Sequence, residues 1–389
     1  MKVLYLNPTV EIGGSERSLL ELVNGVDRRL VEPHAACVME GPLPRALREA
    51  GVEVAINPWP RFALRIGRDS LASKLLLPLA TFALVPHLVK MIRLVRRERI
   101  DVVHTNGLKS SLVGSLTGLL AGCRVVWHVR DVLRPGLTRR IYGLAARATV
   151  DRLIANSCAV ADTFPGMPRG RLRIVYNGLD TDAYAPAPRS PGVRASLGLA
   201  EDDFVVGALG ALAPLKGHIH LIRAAPRVLE RCSRAKFLIV GQEMYLTVGH
   251  KGYRAILEEE VRKSGVEGRV LFAGYRSDPV EVIRALDVLV HASVYPESFG
   301  RVLVEAMACG VPVVATALGG PKEIIVSEDQ GILIPAEDPR AIADAVIRLH
   351  GDPAFRERLA RGGRERVVSA FSVDRYVGEI EEIYRELAA

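Results

Sequence analysis

"PESFGRVLVEAMACGVPVVAT", residues 296–316, holds the reading that decides the fold. Ser298 reads as an N-cap, residues 299–309 as a helix and Gly310 as its stop, with "VPVVAT" as a short buried strand after it. A short helix stopped by glycine and followed by a β-branched strand is one step of a parallel sheet. The same alternation runs outward in both directions. Toward the N-terminus, "FVVGALG", "KFLIVG", "VLFAG" and "VLVHAS" precede the stretch, and "GILIP" follows it. An earlier series, "KVLYLN", "HAACVM", "EVAIN", "DVVHTN", "RVVWHV" and "RLIANS", ends near residue 156. Between the two lies "LRIVYNGLDTDAYAPAPRSPG", whose Asn-Gly, aspartates and prolines read as a linker. The expectation is an α/β chain of two Rossmann-like domains, 1–183 and 184–370, whose strand ends face a cleft. The amphipathic segment 371–389 closes the chain as a helix.

Length and composition agree. At 389 residues the chain exceeds what one core usually serves. The net charge of +8 is concentrated: residues 59–99 carry nine basic side chains against Asp69 and Glu98, so +7 of it lies there. Such a local basic face argues against a general nucleic-acid binder and fits an anionic membrane surface, because it flanks the apolar "LLLPLATFALVP" at 75–86. That run is too short to span a bilayer. Two surface helices with ordinary basic faces would read the same way. Five scattered cysteines without C-x-x-C spacing point to neither a disulfide framework nor a zinc site. The opening "MKVLYLNPTVEIGG" reads as a strand entering a glycine loop and not as a signal peptide, so the expected setting is cytoplasmic, with a peripheral place on the membrane face left open.

Chemistry-bearing residues fall at strand ends. Gly13 and Gly14, between the first strand and first helix, allow close backbone approach where helix N–H groups would meet phosphate; they serve equally to turn the chain. Lys216, in "GALGALAPLKGH", would put a cation beside a diphosphate. Glu297 lies ahead of the quoted helix and Glu305 within it, roughly 80° round and about 12 Å along. That separation does not suit an acid and base acting on one bond. It suits two acceptors for hydroxyls at different places on an extended ligand, with helix amides between them for phosphate.

At this point the residues resemble a family. "PESFGRVLVEAMACGVPVVAT" with "GGPKEII" is similar to the E-x7-E region of retaining GT-B glycosyltransferases of family 4, and "GGSERSLLELV", "NGLDTDAY", "LKGH" and "GYRSDPVEVIRALDVLVHAS" fall in that family's usual order. The resemblance implies a nucleotide-sugar donor held mainly by the C-terminal domain, a glycan or lipid-linked acceptor held mainly by the N-terminal one, no metal, and a last helix that crosses back to the N-terminal domain. UDP is the default carrier. By position it implies that Glu297 binds donor-sugar hydroxyls and Glu305 the ribose. Lys216, the Gly14 amide and the amides of Arg301, Val302 and Leu303, next to Phe299 and Gly300, would take the diphosphate. Gly241 and Tyr275 would surround the base. His128 sits where the family keeps a histidine beside the donor sugar and reaction centre, and His104, Arg130 and Asp131 are weaker acceptor-side candidates. "DTD" at 180–182 is read as structural. One departure stands out: the family's usual arginine five residues before the lysine is Ala211 here. Arg301 or Arg276 would have to substitute, or the chain is a weakly active or inactive nucleotide-sugar-binding scaffold. A Rossmann oxidoreductase lacks support, since neither first βα turn carries G-x-G-x-x-G.

Overall fold

The computed structural model describes residues 1–59, 77–243 and 252–388, with no side chains for 77–84. Much of the basic region, including Arg61, Arg65, Arg68 and Lys74, therefore lies outside the described residues. The chain divides into two compact units, residues 1–178 with 373–389 and residues 179–372.

The first unit is built on a parallel sheet of seven strands in the order β3-β2-β1-β4-β5-β6-β7. These are β1 (Lys2–Asn7), β2 (Glu32–Cys37), β3 (Glu53–Ile56), β4 (Val102–Asn106), β5 (Arg124–Val129), β6 (Arg152–Ala155) and β7 (Leu172–Ile174). The central strands bury both faces, which is why β1 and β5 read as near-continuous apolar runs, while β4 buries His104, Thr105 and Asn106 at its end. Right-handed crossovers place helices from the two directions of travel on opposite faces. Gly14–Gly25 and the C-terminal Val373–Ala388 pack together on one side; Leu77–Glu98, Leu108–Ala121 and Leu137–Thr149 form a layer on the other. The last helix thus belongs to the first unit, its Tyr376, Ile380 and Tyr384 buried in the β1–β2 core. The segment read as a linker begins too early: Leu172–Ile174 pairs with β6 as an edge strand. Three residues long and half-buried to exposed, it is too short for an apolar alternation to show.

The second unit carries six parallel strands in the order β10-β9-β8-β11-β12-β13. They are β8 (Phe204–Leu209), β9 (Ala235–Val240), β10 (Val270–Gly274), β11 (Val288–His291), β12 (Val313–Thr316) and β13 (Ile332–Ile334). In both sheets the strand order reverses beside the first strand, at β1/β4 and at β8/β11, the place where open α/β sheets bind ligands. The quoted stretch forms the helix Arg301–Ala308 and then β12. Ser298 is not the cap. Gly300, left-handed at φ 103°, holds that position, because the chain before it is pinned in a bridge between Glu297 and Gly319.

Candidate functional site

In the second unit the strand ends converge on Glu297. Lys216 follows β8 in a single 3₁₀ turn, and its Nζ donates to both carboxylate oxygens of Glu297, at 2.9 and 2.8 Å. Ser293 Oγ donates to Oε2 at 3.2 Å, and His291 Nε2, at the end of β11, lies 3.3 Å from the same oxygen. The loop is fixed by backbone: Glu297 N–H donates to Leu318 O, and Gly320 N–H donates to Glu297 O at 2.9 Å. Gly319 is required there, with φ of 73° and space for a Cβ only 2.3 Å from Glu297 O. Burial on its own would raise the Glu297 carboxyl, but the Lys216 charge and the His291 side chain outweigh it and hold the group well below the usual carboxylate range. A carboxylate and an ammonium that the sequence assigns to different parts of one ligand are thus each other's partners in the ligand-free chain.

Glu305, 7% exposed, accepts from Arg301 Nε at 2.9 Å and from Tyr184 OH at 3.5 Å. The expected phosphate seat is narrower than the sequence implied. Leu303 N–H donates to Gly300 O at 2.9 Å, which removes it from the amides open to a phosphate. The side chains of Phe299 and Leu303 face the core, Phe299 edge-on to Phe371, while Val302 is half-buried. Gly241 packs against Gly210: a Cβ would meet Gly210 O at 1.8 Å. Tyr275 is 58% exposed on the loop after β10. Both arginines considered in place of Ala211 are engaged, Arg301 with Glu305 and Arg276 with Asp278 through two contacts of 2.8 and 2.6 Å. Asp180 accepts the amides of Asp182 and Ala183, a loop cap, in line with the structural reading of "DTD".

In the first unit a polar chain runs along the buried ends of β1, β4 and β5. Tyr5 lies opposite His104 in register, and His128 opposite Asn106. His104 Nε2 and His128 Nδ1 are 3.2 Å apart, and Tyr384 OH lies 2.7 Å from His104 Nδ1 and 3.1 Å from Tyr5 OH. Arg130, buried, donates from Nε to Asn106 Oδ1 at 3.1 Å, from Nη1 to Asn177 Oδ1, and from Nη2 to Tyr376 OH at 3.0 Å, with Nη2 also 3.4 Å from His128 Nδ1. Burial, then Arg130, pushes His104 down to about 3; burial, Arg130 and His104 push His128 well below an ordinary histidine. Both rings are therefore neutral at physiological pH. Asp131 is half-buried on the loop beyond. Gly13 departs from expectation: its N–H donates to Glu16 Oε2 at 3.1 Å, so a buried carboxylate already caps the helix that Gly14 begins.

Sequence reading nominated His104, His128 and Arg130, which meet in one buried cluster of the first unit, and Lys216 and Glu297, which pair with one another in the second. It missed Asn106, Asn177, Tyr376 and Tyr384 in the first unit and His291 and Ser293 in the second. The last two sit in "VLVHAS" at a strand end, a position that was signal enough.

The chain is similar to known proteins over most of its length. The family model described as Glycosyltransferase Family 4 matches residues 12–183, and that described as Glycosyl transferases group 1 matches residues 191–366. A D-inositol 3-phosphate glycosyltransferase of Nocardioides is 34% identical over 74% of this chain and 68% of its own length. The Escherichia coli UDP-Gal:alpha-D-GlcNAc-diphosphoundecaprenol alpha-1,3-galactosyltransferase is 24% identical over 77% of this chain and 79% of its own. Among solved structures, Anabaena HepE in complex with UDP and glucose superposes with a TM-score of 0.84 at 26% identity, covering 99% of each chain.

Proposed function

Because the chain belongs to the family 4 glycosyltransferases, of the GT-B fold class, we propose that it transfers a sugar from a UDP-sugar to a glycan or lipid-linked acceptor, with retention and without a metal ion. The observation that carries this is the Lys216–Glu297 pair beside the N-terminus of helix Arg301–Ala308, with Glu305 one turn further in. A diphosphate would draw Lys216 from Glu297 and release the carboxylate for sugar hydroxyls, while Glu305 meets the ribose. The departing diphosphate is stabilised electrostatically by Lys216 and helix amides, and the acceptor proton passes to a leaving phosphate oxygen. In this reading motif position assigns His128 to the donor sugar and reaction centre, and His104, Arg130 and Asp131 to the acceptor. The UDP and glucose held by HepE and the lipid-linked acceptor in the name of the galactosyltransferase support the substrate classes.

A panel of UDP- and GDP-sugars, tested for binding and slow hydrolysis in EDTA on wild type and Glu305→Ala, decides it. Turnover of one sugar nucleotide in EDTA, lost in the variant, is expected. A second reading, a nucleotide-sugar-binding scaffold, is favoured by Ala211 together with the ion-paired state of Arg276 and Arg301; binding without any turnover would establish it.

The acceptor reading extends to a membrane surface. No described helix is long and apolar enough to cross a bilayer. Yet eight of the fifteen large apolar side chains exposed among the described residues lie in the helix layer Leu77–Glu98, Leu108–Ala121 and Leu137–Thr149. Leu119, Leu137 and Leu144 are the most exposed of them, and Lys90, Arg93, Arg97, Arg140 and Arg147 stand exposed on the same helices. An apolar face rimmed by cations suits an anionic lipid surface. Flotation with phosphatidylglycerol vesicles, but not with phosphatidylcholine alone, is the expected result; equal behaviour on both would remove the membrane from the reading.

A further inference from the structure

The two carboxylate oxygens of Glu297 are held unequally. Oε1 accepts from Lys216 Nζ at 2.9 Å, and among the described residues no other side chain donates to it. Oε2 faces three groups, Lys216 Nζ at 2.8 Å, Ser293 Oγ at 3.2 Å and His291 Nε2 at 3.3 Å. Ser293 has one hydroxyl proton, and the carbonyl of Leu215 competes for it at 3.0 Å. His291 Nε2 is buried and no hydrogen bond satisfies it among the described residues, close as the carboxylate is. A buried polar atom beside an acceptor and yet unbonded asks for a reason. The reason is that Lys216 already sits against both oxygens of that acceptor.

A diphosphate that draws Lys216 away removes its donor from both oxygens at once. Glu297 then keeps a negative charge where burial alone would raise its carboxyl, with only a shared serine proton and His291 beside it. Among the described residues, the titratable groups facing His291 are Glu297 on the loop, Lys216 in the turn after β8, and His218 at the start of helix His218–Leu229. Burial first, then the charges of Lys216 and His291, pushes His218 down to about 3, so that ring stays neutral and takes no part. His291 is left as the group that can restore a positive charge next to the carboxylate. An opposite charge at 3.3 Å favours its imidazolium against the cost of burial.

We propose that His291 is a positioning residue for Glu297: as Lys216 turns to the diphosphate, His291 binds a proton, donates Nε2–H to Oε2, and leaves Oε1 charged and open to a ligand hydroxyl. The proton comes from solvent and returns to it when the nucleotide departs and Lys216 rejoins Glu297. Donor binding is thereby coupled to proton uptake. The inference rests on the glycosyltransferase reading for what displaces Lys216 and for the hydroxyl at Oε1, but not for the coupling between ring and carboxylate.

The test is a pH titration of the rings in ¹⁵N-histidine-labelled, ligand-free full-length protein by long-range ¹H–¹⁵N spectra, with His291 assigned by comparison with His291→Gln. Deleting the ammonium stands in for its departure. In Lys216→Met, and in Lys216→Gln should the first fail to fold, the His291 midpoint should rise by about one pH unit or more over wild type. Adding Glu297→Gln should bring it back near the wild-type value, because the carboxylate that holds the proton is gone. An unmoved midpoint overturns the inference. A midpoint that stays raised in the double variant overturns the part given to Glu297, since lost repulsion from Lys216 then accounts for the rise. Calorimetry with UDP-glucose, whose diphosphate does not titrate near neutrality, gives a second readout. Binding at pH 7.5, compared in HEPES and in Tris, should take up protons in wild type and none in His291→Gln, with affinity about tenfold weaker in the variant. UDP-glucose bound to wild type without proton uptake overturns the inference. A raised midpoint in Lys216→Met, in a protein that binds neither UDP-glucose nor GDP-mannose, sustains the coupling and defeats the glycosyltransferase reading, so the two failures are distinct.

Discussion

Replacing Lys216 by Met leaves the Glu297 carboxylate about a fifth exposed, with Ser293 Oγ at 3.2 Å and His291 at 3.3 Å as its remaining support. Two opposite charges near 4 Å attract by roughly 4 kcal/mol at an effective dielectric of 20. Exposure of both side chains, 20% and 19%, brings that down through solvent screening. Exposed pairs are worth about 0.2–1 kcal/mol, whereas removing one partner of a buried pair costs about 3–5 kcal/mol. This pair lies between those limits. The expected losses are about 2 kcal/mol for Lys216→Met, about 1.5 kcal/mol for Glu297→Gln and about 2 kcal/mol for both together, a coupling of about 1.5 kcal/mol. Urea unfolding of the four proteins by circular dichroism measures it. Tryptophan fluorescence serves as the internal control, because Trp59 and Trp127 both belong to the first unit and should not respond. Single losses that sum to the double loss within about 0.5 kcal/mol would refute the argument, as would an equal change in the fluorescence transition.

Two further expectations follow from the buried cations and rings. His104 and His128 in the first unit stay neutral when folded but protonate near the ordinary value of about 6.5 when unfolded. Their folded values are depressed, so the stability they support is complete above about pH 6.5 and declines as pH falls toward the folded value, about 3 for His104. At pH 5 the loss from His104 is about 2 kcal/mol, and His128 adds to it in the same direction. The urea midpoint read by tryptophan fluorescence should therefore drop from pH 7 to pH 5; equal midpoints would dismiss the argument. Separately, Ala211→Arg restores a cation beside Lys216, and one charge-assisted hydrogen bond of about 1.5–3 kcal/mol corresponds to roughly 10- to 100-fold tighter UDP binding by calorimetry. Unaltered affinity would mean that the diphosphate does not lie beside residue 211.

How much the sequence disclosed depended on whether a feature was local. "KVLYLN" and "RVVWHV" coincide with β1 and β5 to the residue, because central strands of a parallel sheet are apolar on both faces and announce themselves. β7 was lost within the supposed linker because "LRI" at an edge buries too little to differ from loop. The N-cap was misplaced by two residues, since Ser298 has the right chemistry while the bridge to Gly319, a contact with a distant turn, dictates where the helix can begin. Glu297, Glu305 and Lys216 were visible as residue types at strand ends; that Lys216 and Glu297 hold one another, and that Arg301 holds Glu305, was not.

The largest gap concerns His128. Its neighbours come from β1, β4, the loop after β7 and the final helix, so Tyr5, His104, Asn177, Tyr376 and Tyr384 meet only once the first unit has folded. Motif position can nominate such a histidine, but its surroundings are set by Arg130, two residues along the same chain, which is itself held by groups more than two hundred residues away. Chain-distant partners also explain why the last helix matters beyond packing. Tyr376 and Tyr384 are its buried aromatic hydroxyls, and each bonds a group that itself touches His128. Truncation before Val373 would remove both, so loss of activity in such a truncated protein would speak as much to the state of His128 as to the stability of the sheet.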